Sequence, residues 1–280
     1  MALADVTRKQ AFFVHLFISM AVFVVLLYFI IYKWYPSYYF HIDGGYRGIA
    51  TIFLVDVVLG PGLTLLLFRQ GKPGLKFDMS VIVIFQVVAL SWGVWWVYSE
   101  RPALTVFYDG GFICMKHSEV SEVDLERLNL RDKRPPLLAV LPRPNTYSEY
   151  QAMLLEAVRK KSASIYVFGE KFLPMDVVGT VQVMNYMLDV DNSLSGDTEQ
   201  IEKYRKIWAQ YLEKSPAENN KYMYFPLSCR YGKVLAVFDL EDSRIIDYVP
   251  VVTTRAISKI DLGFTRKELE RNRNNHNNSK

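Results

Sequence analysis

The sequence predicts a membrane protein: a three-helix transmembrane bundle followed by an extracytoplasmic α+β domain with an antiparallel sheet. Three observations predict it. Residues 11–32, 48–69 and 77–98 are apolar runs, each long enough to cross roughly 30 Å of hydrocarbon at about 1.5 Å per helical residue. Most of the charge lies beyond residue 100. The last part of the chain alternates short runs of β formers with turn residues. A mean hydropathy of +0.07 averages over this split. It is too apolar for an ordinary soluble domain and too polar for a multi-span transporter. The expected organisation is a cytoplasmic tail at 1–10, a membrane domain at 11–98, a periplasmic domain at 100–264 and a disordered, Asn-rich tail at 265–280.

The first run, AFFVHLFISMAVFVVLLYFIIY, follows Arg8 and Lys9. It is longer than the apolar core of a signal peptide, and Lys33-Trp34-Tyr35-Pro36 replaces a small-residue cleavage site, so it reads as an uncleaved anchor helix. In the loop 33–47, Trp34, Tyr35, Tyr38, Tyr39 and Phe40 suit the headgroup level as an aromatic belt, and Asp43-Gly44-Gly45 marks a turn. The second run carries a carboxylate, Asp56, near its middle, and Gly60-Pro61-Gly62 one turn later. A basic loop at 69–76 leads to the third run, whose far end gathers Trp92, Trp95, Trp96 and Tyr98. Ala89 and Gly93 there form a small-xxx-small pair, a candidate face for close helix contact.

Lys and Arg in the short segments set the orientation. Arg8 and Lys9 in the tail, with Arg69, Lys72 and Lys76 in the 69–76 loop, place both on the cytoplasmic side of the membrane. Three spans then put the domain after residue 100 on the outer side, the periplasm in a Gram-negative cell. In that oxidising space Cys114 and Cys229 have two readings, a disulfide or two buried thiols in separate strands.

In the outer domain, residues 103–108 and 112–116 flank Asp109-Gly110-Gly111 as a hairpin. A short acidic helix is expected at 118–127 and a basic, proline-broken loop at 131–144. The stretch 148–161 reads as a helix with Tyr150, Met153, Leu154 and Val158 on one face. Ile201, Tyr204, Ile207, Trp208 and Tyr211 give 198–214 clear helical spacing. Three strands follow, at 222–229, 233–240 and 244–249.

Net charge is only +4, with no basic stripe, so no nucleic-acid partner is expected. His15, His41, His117 and His276 are too scattered for a metal set, and no cofactor is implied. There is no GxSxG, HExxH, P-loop or GxGxxG, so no enzyme is expected. Asp239, Glu241, Asp242 and Asp247 read as a solvated rim.

What remains is Asp56. A charge at such depth costs at least roughly 2.5–3.5 kcal/mol on insertion scales, so it needs a partner. Counting along the spans, Gln86 and Ser91 of the third run bracket its depth. The carboxylate is either an internal staple of the bundle or a polar contact for a partner helix or substrate. Pro61 between glycines is expected to weaken or kink its helix.

Asp56-Val57-Val58-Leu59-Gly60-Pro61 with Leu63-Thr64 resembles the D-x-x-L-G-P-x-L-T signature of the type IV pilin accessory proteins, the TfpZ/FimB-like group. The basic connection, the third run, the exit Ser99-Glu100-Arg101-Pro102 and the strand at Val106-Phe107 resemble that family's next segment. Phe225-Pro226-Leu227, Gly232-Lys233-Val234-Leu235 and Asp239-Leu240 are similar to its C-terminal portion. The resemblance implies an inner-membrane factor for type IV pilus biogenesis, a chaperone or assembly factor whose partners are a pilin subunit, the lipid bilayer and the pilus assembly machinery. It supplies no catalytic residues. Two alternatives stay open: a membrane-anchored periplasmic sensor or ligand-binding protein, and a pilin-modifying transferase.

Overall fold

The computed structural model describes residues 7–70, 73–120, 122–130, 133, 136–144, 146–161, 165–214 and 221–258. The tail expected at 265–280 and Lys72 of the basic loop lie outside the described residues. The chain folds as two compact units, Met1–Pro102 with Lys116–Ser118, and Ala103–Met115 with Glu119–Lys280.

The first unit holds three helices long and apolar enough to cross a membrane, Arg8–Trp34, Gly45–Leu67 and Leu75–Ser99. The first begins three residues before its apolar run because Thr7 and Gln10 form a capping box. The Thr7 hydroxyl accepts from the Gln10 N–H at 3.3 Å, and the Gln10 side chain accepts from the Thr7 N–H at 2.9 Å. It ends just before Pro36, with a widened turn over Ile30–Trp34. The other two start from Gly44 and Gly74, at φ 99° and 83°, where glycine alone is unstrained. Of the aromatic residues expected as a belt in the 33–47 loop, Tyr35, Tyr38 and Tyr39 are instead buried. A short helical turn, Tyr39–Ile42, folds them inward, and Gly45 makes room where a Cβ would press on Tyr35 and Phe40. Trp92, Trp95 and Trp96 do face outward.

The second unit is built on a seven-stranded sheet. Its strands are β1 (Pro102–Tyr108), β2 (Gly111–Lys116), β3 (Leu138–Val140), β4 (Leu173–Pro174), β6 (Tyr222–Ser228), β7 (Lys233–Asp239) and β8 (Arg244–Val249). The order is β4-β3-β1-β2-β6-β7-β8. A two-stranded piece pairs β5 (Tyr186–Met187) with β9 (Ile257–Ser258). The expected antiparallel sheet is therefore corrected to a mixed one. β6-β7-β8 is the antiparallel meander, but β1 pairs with β3, and β2 with β6, in parallel. Parallel partners need long crossovers, and the segments between these strands supply them.

Both faces of the sheet are covered. Alternate residues of β1, Leu104 and Val106, join Ala139, Met153 and Phe172 in one core. Leu235 and Val237 of β7 pack with Trp208 of the helix Thr198–Lys214 in another. The opposite face carries an aromatic cluster in which Phe107, Phe112 and Phe225 meet edge to face at 5.0–6.0 Å between centroids. The hairpin turn is left-handed at both Asp109 (φ 48°) and Gly110 (φ 78°), as a two-residue turn between twisted strands requires.

On the helix Tyr147–Arg159 only Met153 of the expected face is buried; Tyr150, Leu154 and Val158 are exposed. The 3-10 helix that follows, Ile165–Lys171, is held from outside. Arg127 donates to the carbonyls of Gly169 at 2.6 Å and Phe172 at 2.9 Å. Arg127→Ala should lower the unfolding free energy by about 1–2 kcal/mol, since two charge-assisted bonds to backbone are lost at a partly exposed site. Equilibrium denaturation of the full chain in micelles measures it.

Candidate functional site

The polar groups of the first unit converge at one place. The second helix cannot continue as a regular α-helix through Pro61, which has no N–H to give and whose ring crowds the carbonyl one turn back. The chain answers by widening. Phe53–Leu59 is a π-helical stretch, and Gly60–Leu67 resumes as α-helix with the proline in its first turn. The helix Gly45–Leu67 thus runs through Gly60-Pro61-Gly62, where the sequence suggests a weakening or kink, with its turn widened just before them. The widened turn contains Asp56, which is 3% exposed.

Three helices meet on this carboxylate. Gln86 of the third donates its Nε2 to Asp56 Oδ1 at 2.7 Å and to the Asp56 backbone carbonyl at 3.1 Å. Ser19 of the first donates its hydroxyl to the same Oδ1 at 3.2 Å. Gly60 is required by this arrangement, because a Cβ there would overlap the Gln86 amide. One turn further along the second helix, Thr64 Oγ1 lies 2.6 Å from His15 Nδ1 and donates to the Gly60 carbonyl at 3.2 Å. Arg8 then closes the end of the second helix, donating to the carbonyls of Leu65 and Leu66.

Two atoms of this network, Asp56 Oδ2 and Gln86 Oε1, are buried and have no hydrogen-bond partner among the described residues. Asp56 and Gln86 also line a groove of about 480 Å³ between the first and third helices. Its walls are hydrocarbon, chiefly Val14 and Ile18 on one side and Val83 and Val87 on the other. Among the described residues no group of His, Cys, Asp or Glu is gathered closely enough to hold a metal ion. In the second unit, burial first and the nearby Asp109 carboxylate second push the phenols of Tyr108 and Tyr186 up, so both stay neutral.

This chain is similar to the fimbrial assembly protein of serogroup I from Dichelobacter nodosus, 31% identical over 132 residues that cover 46% of this chain and 45% of the relative. It is 34% identical over 97 residues, 34% of its own length, to the fimbrial assembly protein of serogroups C1 and C2 from the same organism, and covers 73% of that protein. The chain belongs to the fimbrial assembly protein family. A third member, of serogroup E1, is 34% identical over 97 residues, 34% of this chain and 37% of its own. The chain thus spans less than half the length of two of these three relatives. No family model matches it, and no solved structure matches it. The family is the type IV pilus accessory group whose signature the stretch around Asp56 and Pro61 resembles.

The structure brings Asp56, Gly60 and Gln86 together but leaves Ser91 outside. Ser91 is exposed, because five residues along a helix turn it about 140° away from Gln86. Ala89 is exposed, and a Cβ on Gly93 or Gly62 would meet nothing within 4 Å. Cys114 and Cys229 are joined as a disulfide, their Cα atoms 4.8 Å apart. Ser19, Thr64 and His15 were missed as members of the site. The signal was there: His15 and Ser19 are polar at i, i+4 in an apolar run, which places both on one helix face.

Proposed function

We propose that this chain is an inner-membrane accessory factor for type IV fimbrial biogenesis that acts on a pilin subunit as a chaperone or assembly factor, without chemistry of its own. The observation that carries the reading is the groove of the helical unit. It is an apolar trough with a polar floor, in a chain whose relatives are named for fimbrial assembly. A pilin waits in the inner membrane with an apolar N-terminal helix and an outer head, and a helical unit joined to a folded second unit suits a client of that form. The positive-inside distribution supports a cytoplasmic N-terminus and a periplasmic sheet unit.

Deleting the gene should lower the steady-state amount of pilin or of assembled fimbriae, and tagged chain should co-purify with pilin from detergent extracts. The intact mass of the pilin should be the same with and without the chain. A mass difference would instead support a pilin-modifying transferase. A reporter fused after residue 258 should be active only in a periplasmic form; a cytoplasmic signal would overturn the orientation.

A further inference from the structure

We infer that the groove between the first and third helices is the seat of a partner's membrane-spanning helix, apolar along its length and carrying a hydrogen-bond donor at the level of Asp56. The inference rests on the proposed function, and names the surface and the chemistry it uses.

The groove has a direction. The first and third helices run parallel and both pack on the second. They converge at one end, where the Tyr35 hydroxyl donates to the Val97 carbonyl at 3.0 Å and the rings of Trp34 and Tyr98 stand 5.3 Å apart. They part toward the other end, and the groove is lined there from 11 to 22 on the first helix and from 79 to 90 on the third. That is about 16 Å, or three helical turns, at 1.5 Å per residue. Exposed apolar side chains occur all round these helices and carry no information about a partner. The concavity and its floor do.

Asp56 Oδ2 and Gln86 Oε1 are both acceptors, both buried, and both without a partner among the described residues. A lipid acyl chain filling the groove has no donor to offer. A regular helix uses its own backbone N–H groups internally, so the donor must be a hydroxyl, amide or amine side chain at that level. The group that such a donor meets first is the Gln86 side chain, which bonds Asp56 Oδ1 at 2.7 Å and is itself only half buried. A second observation lies on the same stripe. Gln86, Leu90 and Gly93 follow one another at i, i+4 and i+7 on the third helix, and the space above Gly93 is empty. A notch of this kind lets another helix backbone approach closely, which a flexible acyl chain does not need.

Photo-crosslinking amino acids placed singly at Val14, Ile18, Val83 and Val87 of the full chain, co-produced with a tagged pilin, test the seat in intact membranes. Controls go at Phe17 and Phe85, exposed but outside the groove lining. The expected result is pilin adducts at the four groove positions at least tenfold above the controls. Val83→Trp, which fills the groove without touching the polar floor, should cut the adducts at Ile18 and Val87 tenfold at an unchanged level of the chain; Ile18→Trp, read at Val83 and Val87, serves if that variant does not accumulate. Adducts to lipid alone, to a second copy of this chain alone, or equal yield at the controls would overturn the inference. Co-purification of pilin without groove adducts would sink the inference and leave the proposed function standing; loss of co-purification as well would sink both.

Discussion

Replacing Cys114 and Cys229 together by Ser should destabilise the sheet unit by about 4–5 kcal/mol, the chain-entropy value for a loop of on the order of 100 residues. The bond closes a sequence separation of 115. Its place in the sheet makes the effect larger than packing alone suggests. The order β4-β3-β1-β2-β6-β7-β8 has its middle join at β2 and β6. That join is a parallel ladder of only two pairs, Phe112 with Leu227 and Ile113 with Ser228. The disulfide continues this register by one residue and fixes the two halves at a join of only two pairs. By contrast β6 and β7 pair over seven positions. The unfolding midpoint should fall by roughly 10–20 °C, as about 2–4 °C per kcal/mol holds for a unit of this size. Dithiothreitol should reproduce the shift in the natural chain and add nothing to the double variant. Titration of denatured, unreduced protein should find no reactive thiol at these positions. Two reactive thiols, or a midpoint indifferent to reductant, would contradict the prediction.

What the sequence made legible follows from how local each signal is. The three long helices come from length and hydropathy alone, which need no partner. Thr198–Lys214 is read to the residue because its apolar face is the face that packs on β7. The meander β6-β7-β8 is read to within a residue because its turns lie between the strands they join. The parallel pairings are not legible, since nothing in β1 points to a strand thirty residues on. β3 is hidden for a second reason. Leu138–Val140 is buried on both sides and so shows no alternation, and the prolines around it read as a loop. The helix Val177–Met184 is rich in β-branched residues; its start is fixed by Asp176, whose carboxylate accepts from the N–H groups of Val178 and Gly179. At the site, counting depth along two spans found Gln86 for Asp56 but retained Ser91, because depth says nothing about angle round the helix.

Asp56→Ala should weaken the helical unit by about 2–3 kcal/mol, with interhelical hydrogen bonds in apolar surroundings worth roughly 0.6–1.7 kcal/mol each and a stranded amide adding to the loss. The cost is uneven across the network. Ser19 can turn its hydroxyl to a carbonyl of its own helix, as serines in apolar helices do. Gln86 cannot recover as well, because its Nε2 keeps only the Asp56 backbone carbonyl and the long contact to Ser19 at 3.4 Å. Gly60→Val should produce a similar loss without touching the carboxylate, since its side chain would displace the Gln86 amide. Detergent-titrated unfolding and steady-state level read both variants. The two oxygens of Asp56 divide the work: Oδ1 holds the three helices together, and Oδ2 has no partner inside the unit. Asp56→Asn separates the two. Only with its carbonyl in the place of Oδ1 can Asn offer Gln86 and Ser19 an acceptor, so the amide nitrogen must take the place of Oδ2. That variant should keep the chain's level and unfolding profile while losing an acceptor at the groove floor, and with it most of the pilin adduct at Val83 and Val87. Equal loss of stability in the Asn and Ala variants would mean that the carboxylate is wholly an internal staple.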